Sequence, residues 1–183
     1  CVALVSACSN RAPTGIRNKA LLAVLWRSCL RVSEALSVYP KDVDTTRHEL
    51  RVLHGKGDAY RTVPLDDETC AYLDRWLDRR RTLGLGGRQH LFCTLKGAPM
   101  YDSPRPGRRT EGSSYVRSLM ARLARKAGIE KRVHAHGLRH SGAVHLLAAG
   151  WSVVAIQRVL GPRSLATTYT YLTPLRPEDL IRK

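Results

Sequence analysis

The sequence predicts a mainly α-helical domain with one small antiparallel β-sheet (an α+β arrangement). Two observations carry that prediction. Apolar residues recur at helical spacing in several separate stretches, and a single pair of short alternating runs flanks a glycine-bracketed turn. A third observation narrows what such a domain does: 31 Lys and Arg against 15 acidic residues leave a formal net charge of +16 on 183 residues. The length suffices for a proper core, and the charge points to a polyanionic partner, nucleic acid first. No apolar run approaches spanning length, so a membrane partner is not expected. The five cysteines are scattered and include no Cys-x-x-Cys pair. That indicates neither a disulfide framework nor a zinc site and makes a reducing cytoplasm the expected compartment.

Residues 1–16 show little periodicity and hold Pro13 and Gly15, so they read as a lead-in or linker. With no initiator Met at residue 1, the chain is expected to be a fragment of something longer, and residues 17–183 the domain proper. A helix is expected over Asn18–Leu30, its apolar face made by Ala20, Leu21, Val24, Leu25 and Trp26. The pattern breaks and restarts in Arg31-Val-Ser-Glu34-Ala-Leu36, with Ser33 a candidate N-cap and Pro40 the stop. His48–Leu53 and Tyr60–Leu65 alternate polar and apolar residues around Gly55-Lys56-Gly57-Asp58, which makes a hairpin. Asp66 is placed to cap a helix reaching Leu83, with Cys70, Leu73, Trp76 and Leu77 inward and Gly84 as its stop. Leu91-Phe92 reads as a short strand.

Residues 95–112 form a long basic loop rich in Pro and Gly, in which Arg105, Arg108 and Arg109 are candidates to track a phosphate backbone. The next helix, Ser114 to Ala127, turns Val116, Leu119, Met120 and Leu123 inward and Arg117, Arg122, Arg125 and Lys126 outward. The stretch from His134 to Gly150 is an amphipathic helix whose first turns carry His136, Arg139 and His140. Backbone N–H groups at a helix start favour an anion, and an arginine fork beside a histidine adds donors. That is a phosphate site in outline; the bland alternative is a solvated basic helix start. Three histidines invite a metal, but Arg139 stands among them without acidic or thiolate companions, so no metal is expected. Ser152–Leu160 is a shorter helix, Gly161-Pro162 a break, and Ser164 restarts a helical segment over Leu165–Leu172.

Arg31, Lys56, His136 with Arg139, and Tyr171 are each suited to a phosphodiester. In this order they resemble the tyrosine recombinase (phage-integrase) family. The first block of that family is matched by Leu30-Arg31-Val32-Ser33-Glu34-Ala35-Leu36. Its hairpin lysine is matched in Gly55-Lys56-Gly57, ahead of Arg61-Thr62-Val63-Pro64-Leu65. The His-x-Leu-Arg-His block stands intact as His136-Gly137-Leu138-Arg139-His140, and the closing block is matched by Leu160-Gly161 and Tyr171. The likeness covers roughly residues 14–172. One position departs: where the family places His or Trp after Leu-Gly, this chain has Pro162, which offers no side-chain donor and no N–H. Arg163 and His140 are the candidates to replace that donor.

The resemblance implies the catalytic domain of a site-specific DNA recombinase. Tyr171, rather than Tyr169, would be the nucleophile; Arg31 and Arg139 would clamp the non-bridging phosphate oxygens. Lys56 would be the general acid, His136 the general base or a phosphate donor, and Glu34 an accessory that orients Arg31 or caps a helix. The implied partner is double-stranded DNA bearing specific sites, bound by a homotetramer, with no cofactor. An N-terminal DNA-binding domain is expected upstream, residues 1–16 being the lead-in from it. Two rival readings share these residues. One is a type IB topoisomerase or telomere-resolving enzyme; the other is a DNA-binding protein that has lost catalysis.

Overall fold

The computed structural model describes residues 1–54, 59–100 and 114–161. Its elements run α1 (Val2–Ser6), α2 (Pro13–Trp26), α3 (Val32–Ser37), a 3-10 turn (Pro40–Asp42), β1 (Val43–Asp44), β2 (Glu49–His54), β3 (Ala59–Pro64), α4 (Asp67–Thr82), α5 (Ser114–Lys126), α6 (Ala135–Ala148) and α7 (Val153–Leu160). The predicted mainly helical fold with one small antiparallel sheet is what forms. The core is built around α2, whose Leu21, Leu22, Val24 and Leu25 have no exposed surface. A helix that is apolar all round must be covered all round, and α1, α3, α4 and α6 all pack against this one.

That demand explains the first departure from expectation. Residues 1–16 are not all lead-in: α1 forms within them, and Leu4, Val5 and Cys8 enter the core. Five residues are too few to show a helical period, which is why the segment reads as irregular. The second helix starts at Pro13, whose missing N–H costs nothing at a first helical position, and it stops at Trp26 instead of Leu30. Cys29 then takes a left-handed conformation, φ 53°. Ser33 does not cap the third helix. Arg31 is the N-cap residue, and the Glu34 carboxylate accepts its backbone N–H at 2.9 Å.

The sheet has the order β1-β2-β3 and is antiparallel throughout, with Leu50 opposite Val63 and Val52 opposite Arg61. The two-residue strand β1 is too short to announce itself in sequence. Asp66 caps α4 as its position suggests, accepting from Thr69 N at 2.9 Å, and Ser152 caps α7.

Leu91-Phe92 is not a strand. Both residues are fully buried, but side chains satisfy much of the backbone here. The Leu91 carbonyl accepts from Trp76 Nε1 and from Arg80 Nη1, each at 2.8 Å. Arg80, 2% exposed, also donates to the carbonyls of Gly86, Gln89 and His90 and to Cys93 Sγ. One guanidinium thus moulds the 86–93 loop. Arg80→Met removes a buried charge, which is a gain, but strands several carbonyls, which is a larger loss. A net destabilisation of about 2 kcal/mol is expected, read as a melting temperature roughly 4–8 °C lower. An unchanged melting temperature would show that the loop holds itself.

Candidate active site

The site grows from one close helix crossing. On α6, a Cβ at Gly142 would fall 1.8 Å from the Trp26 carbonyl oxygen and 2.7 Å from Cys29 Sγ. Only a bare glycine lets α6 settle onto the end of α2 and the turn that follows it. Three residues before Gly142, Arg139 is thereby carried to that turn. Its Nη1 donates to the Cys29 carbonyl at 2.7 Å and its Nη2 to the Leu160 carbonyl at 2.6 Å. The side chain is 5% exposed.

Beside it lies Glu34, placed by the first turn of α3. Its carboxylate receives three guanidinium groups. Arg31 Nη1 donates to Oε1 at 2.6 Å. Arg61, reaching in from β3, makes a two-pronged pair at 3.0 and 2.9 Å. Arg139 Nη1 stands 3.6 Å from Oε2. Burial alone would raise the Glu34 pKa, but donation from Arg61 and from the Arg31 backbone N–H outweighs it and holds the carboxyl below its ordinary value. The glutamate is therefore an anion at neutral pH. Among the described residues, three fixed cations stand against one anion here and leave positive charge in surplus. For Arg139, burial and then the Arg31 charge bring the pKa down from its ordinary value. The cluster is short of negative charge and suits an oxyanion.

His136 sits in the first turn of α6. Partial burial, followed by the charges of Arg139, His140, Arg31 and His134, lowers its pKa below the ordinary histidine value. That direction favours the neutral imidazole over the charged one. The half-buried His140 lies one turn further along the helix.

The structure brings together Arg31, Glu34 and Arg139, with His136 within their electrostatic reach. Arg117 and Arg122 lie on the exposed face of α5 and are not part of this cluster. Lys56, Arg105, Arg108, Arg109, Pro162, Arg163, Tyr169 and Tyr171 lie outside the described residues. Among the described residues no group of three or more His, Cys, Asp or Glu side chains is placed to hold a metal. Arg61 opens the matched Arg61–Leu65 run, but the sequence reading assigned it no role at the site. Its signal was there: strand alternation puts it on the same face as the buried Val63 and Leu65, and an arginine in an apolar register announces a buried pair.

A family model described as "Phage integrase family" matches residues 1–176. Among curated proteins, the chain is 36% identical over 170 residues to Tyrosine recombinase XerC 2 of Ralstonia nicotianae, covering 92% of this chain and 46% of that protein. It is 35% identical over 176 residues to Tyrosine recombinase XerD of Bifidobacterium longum, covering 92% and 53%. The chain thus spans about half the length of the curated relatives it matches. Of solved structures, the XerA recombinase superposes with a TM-score of 0.78 at 31% identity, covering 98% of this chain and 59% of that one. The XerH site-specific recombinase bound to difH substrate does so with 0.73 at 27%, covering 93% and 47%. The family model spans nearly the whole sequence, and the His136–His140 block and the superposed fold agree with it: the chain belongs to the phage integrase family of tyrosine recombinases.

Proposed function

We propose that this chain is the catalytic portion of a site-specific recombinase that cleaves and rejoins double-stranded DNA through a 3′-phosphotyrosyl intermediate. The observation that carries the reading is the arginine cluster: Arg31 and Arg139, from distant parts of the chain, meet on Glu34 with a surplus of positive charge. A scissile phosphate needs that surplus, because negative charge on its non-bridging oxygens must be stabilised as the fifth bond forms.

In the proposed reaction the Tyr171 hydroxyl oxygen attacks phosphorus, forming the P–O(Tyr) bond as the P–O5′ bond breaks. Arg31 and Arg139 hold the non-bridging oxygens. His136, whose neutral form is favoured, takes the phenolic proton, or donates to the phosphate while that proton passes to water. Lys56 gives a proton to the departing 5′-oxygen. The phosphodiester energy is kept in the tyrosyl link, so a 5′-hydroxyl can later reverse the step without ATP or metal. Arg105, Arg108, Arg109, Arg117 and Arg122 supply sequence-independent hold on the backbone. The protein works in the cytoplasm on paired sites as a homotetramer, with a DNA-binding domain ahead of residues 1–16. The XerH relative solved with its difH substrate is the precedent for the DNA partner.

The test uses nicked duplexes carrying sites from the DNA flanking the gene, incubated with the longest protein the gene encodes, in the presence of a chelator. A denaturant-resistant protein–DNA adduct and a free 5′-hydroxyl are expected. Salt-sensitive DNA binding with no adduct would instead establish a binding-only protein and make Pro162 the suspect.

A further inference from the structure

Arg61 opens the matched run that follows the hairpin lysine and has no role in the proposed chemistry, yet it joins three separate parts of the site. Its Nη1 and Nη2 grip both oxygens of Glu34, at 3.0 and 2.9 Å, while its Nε donates to the Val159 carbonyl at 3.0 Å. The side chain is 11% exposed. Two residues beyond Val159 the chain passes through Gly161 at φ 78°. A Cβ there would lie 3.2 Å from Arg61 Cζ, Nε and Nη1, so the backbone turns closely against the guanidinium. The last turn of α7 is bound a second time, since Arg139 Nη2 takes the Leu160 carbonyl. Three separate parts converge: strand β3, the carboxylate that holds the phosphate-clamping arginines, and the corner from which the chain leaves toward Tyr171.

We propose that Arg61 is a positioning residue for DNA cleavage, locking the exit corner of α7 to the Glu34-centred arginine clamp through one planar, three-pronged contact. The inference rests on the recombinase reading given above. The reasoning is geometric. Cleavage needs nucleophile and clamp registered to a fraction of an ångström, and an error of 1 Å costs on the order of 10²-fold in rate. Nε and the two Nη atoms of a guanidinium point in fixed directions within one plane. A lysine in the same place is a point charge on a flexible stem, unable to hold a carboxylate by both oxygens and a carbonyl at once. Arg61 itself does not touch the phosphate in this scheme; its bonds within the protein hold the groups that do.

The experiment compares the wild-type full-length protein with Arg61→Lys and Arg61→Gln on the nicked duplex. Three readings are taken: DNA affinity, folded fraction from thermal melting, and the single-turnover rate of adduct formation at saturating protein, normalised to folded protein. Both variants are expected to bind DNA within about threefold of wild type, because phosphate contacts elsewhere carry the affinity. The normalised cleavage rate is expected to fall on the order of 10²-fold, with Arg61→Lys failing nearly as badly as Arg61→Gln although it keeps the charge. A merely structural residue would lower the folded fraction and leave the normalised rate alone, and that result overturns the proposal. So does a rate fully rescued in Arg61→Lys, which would show that charge and not planar geometry is what matters. If the variants match an active wild type, this inference alone fails. If the wild type makes no adduct, the recombinase reading fails with it.

Discussion

A protein carrying Tyr171→Phe is expected to bind its DNA as the wild type does and to form no covalent adduct. The phenyl ring keeps the shape and loses only the attacking oxygen. No step of the proposed scheme has a substitute for that atom, and in enzymes that act through a covalent link, removing the nucleophile costs on the order of 10⁶ in rate. Affinity should shift by no more than about threefold, because one hydroxyl is a small part of a contact dominated by basic side chains. Tyr169→Phe, two residues earlier, is the matched control and should still yield adduct. The informative failure is the reverse pattern, with Tyr169→Phe inert and Tyr171→Phe active. That outcome would leave the chemistry standing and move its register by two residues.

Gly142→Ala is the substitution expected to injure the fold most for its size. Helix propensity argues for alanine by about 1 kcal/mol. Sterics argue the other way and win, because the added methyl would stand 1.8 Å from the Trp26 carbonyl oxygen, a backbone atom that no rotamer change can clear. Forcing the helices apart is expected to cost about 3 kcal/mol net, at the upper end for overpacking a well-filled contact. The melting temperature should fall by roughly 6–12 °C. The damage is not confined to stability. Arg139 lies three residues away on α6 and reaches the Cys29 carbonyl only because the helices close. Adduct formation should therefore drop even below the melting transition. A variant that melts like wild type and cleaves at full rate would show that α6 can shift without disturbing the clamp.

Much of this was readable from the residues, and what was not has physical reasons. The helices at Asp67–Thr82, Ser114–Lys126, Ala135–Ala148 and Val153–Leu160 were legible because each shows one face to solvent, and periodicity measures that contrast. The bounds of α2 were not, because a helix covered on every side has little contrast to measure. The helix within residues 1–16 was hidden by brevity, and Leu91-Phe92 passed for a strand because a buried apolar dipeptide looks the same whether a ladder or an arginine satisfies its backbone. At the site, motif order pointed to Arg31, Lys56, His136 with Arg139, and Tyr171 as one set, with Glu34 an accessory; Lys56 and Tyr171 lie outside the described residues, and Arg31, Glu34 and Arg139 do meet. What it could not reveal was the arithmetic of their meeting, one carboxylate shared among three guanidinium groups, because that depends on Arg61 arriving from a strand that sequence assigned only to a hairpin.

That sharing couples four positions energetically. Residues 31, 34, 61 and 139 meet at one pair of oxygens, so the effect of changing any of them depends on which partners remain, and their effects will not add. Losing Glu34 sets three cations against one another; losing Arg61 first changes what Glu34 is worth to the other two. Such a quartet responds to substitution as one unit, and a double-mutant cycle between any two of its members should return a coupling energy of about 0.5–3 kcal/mol.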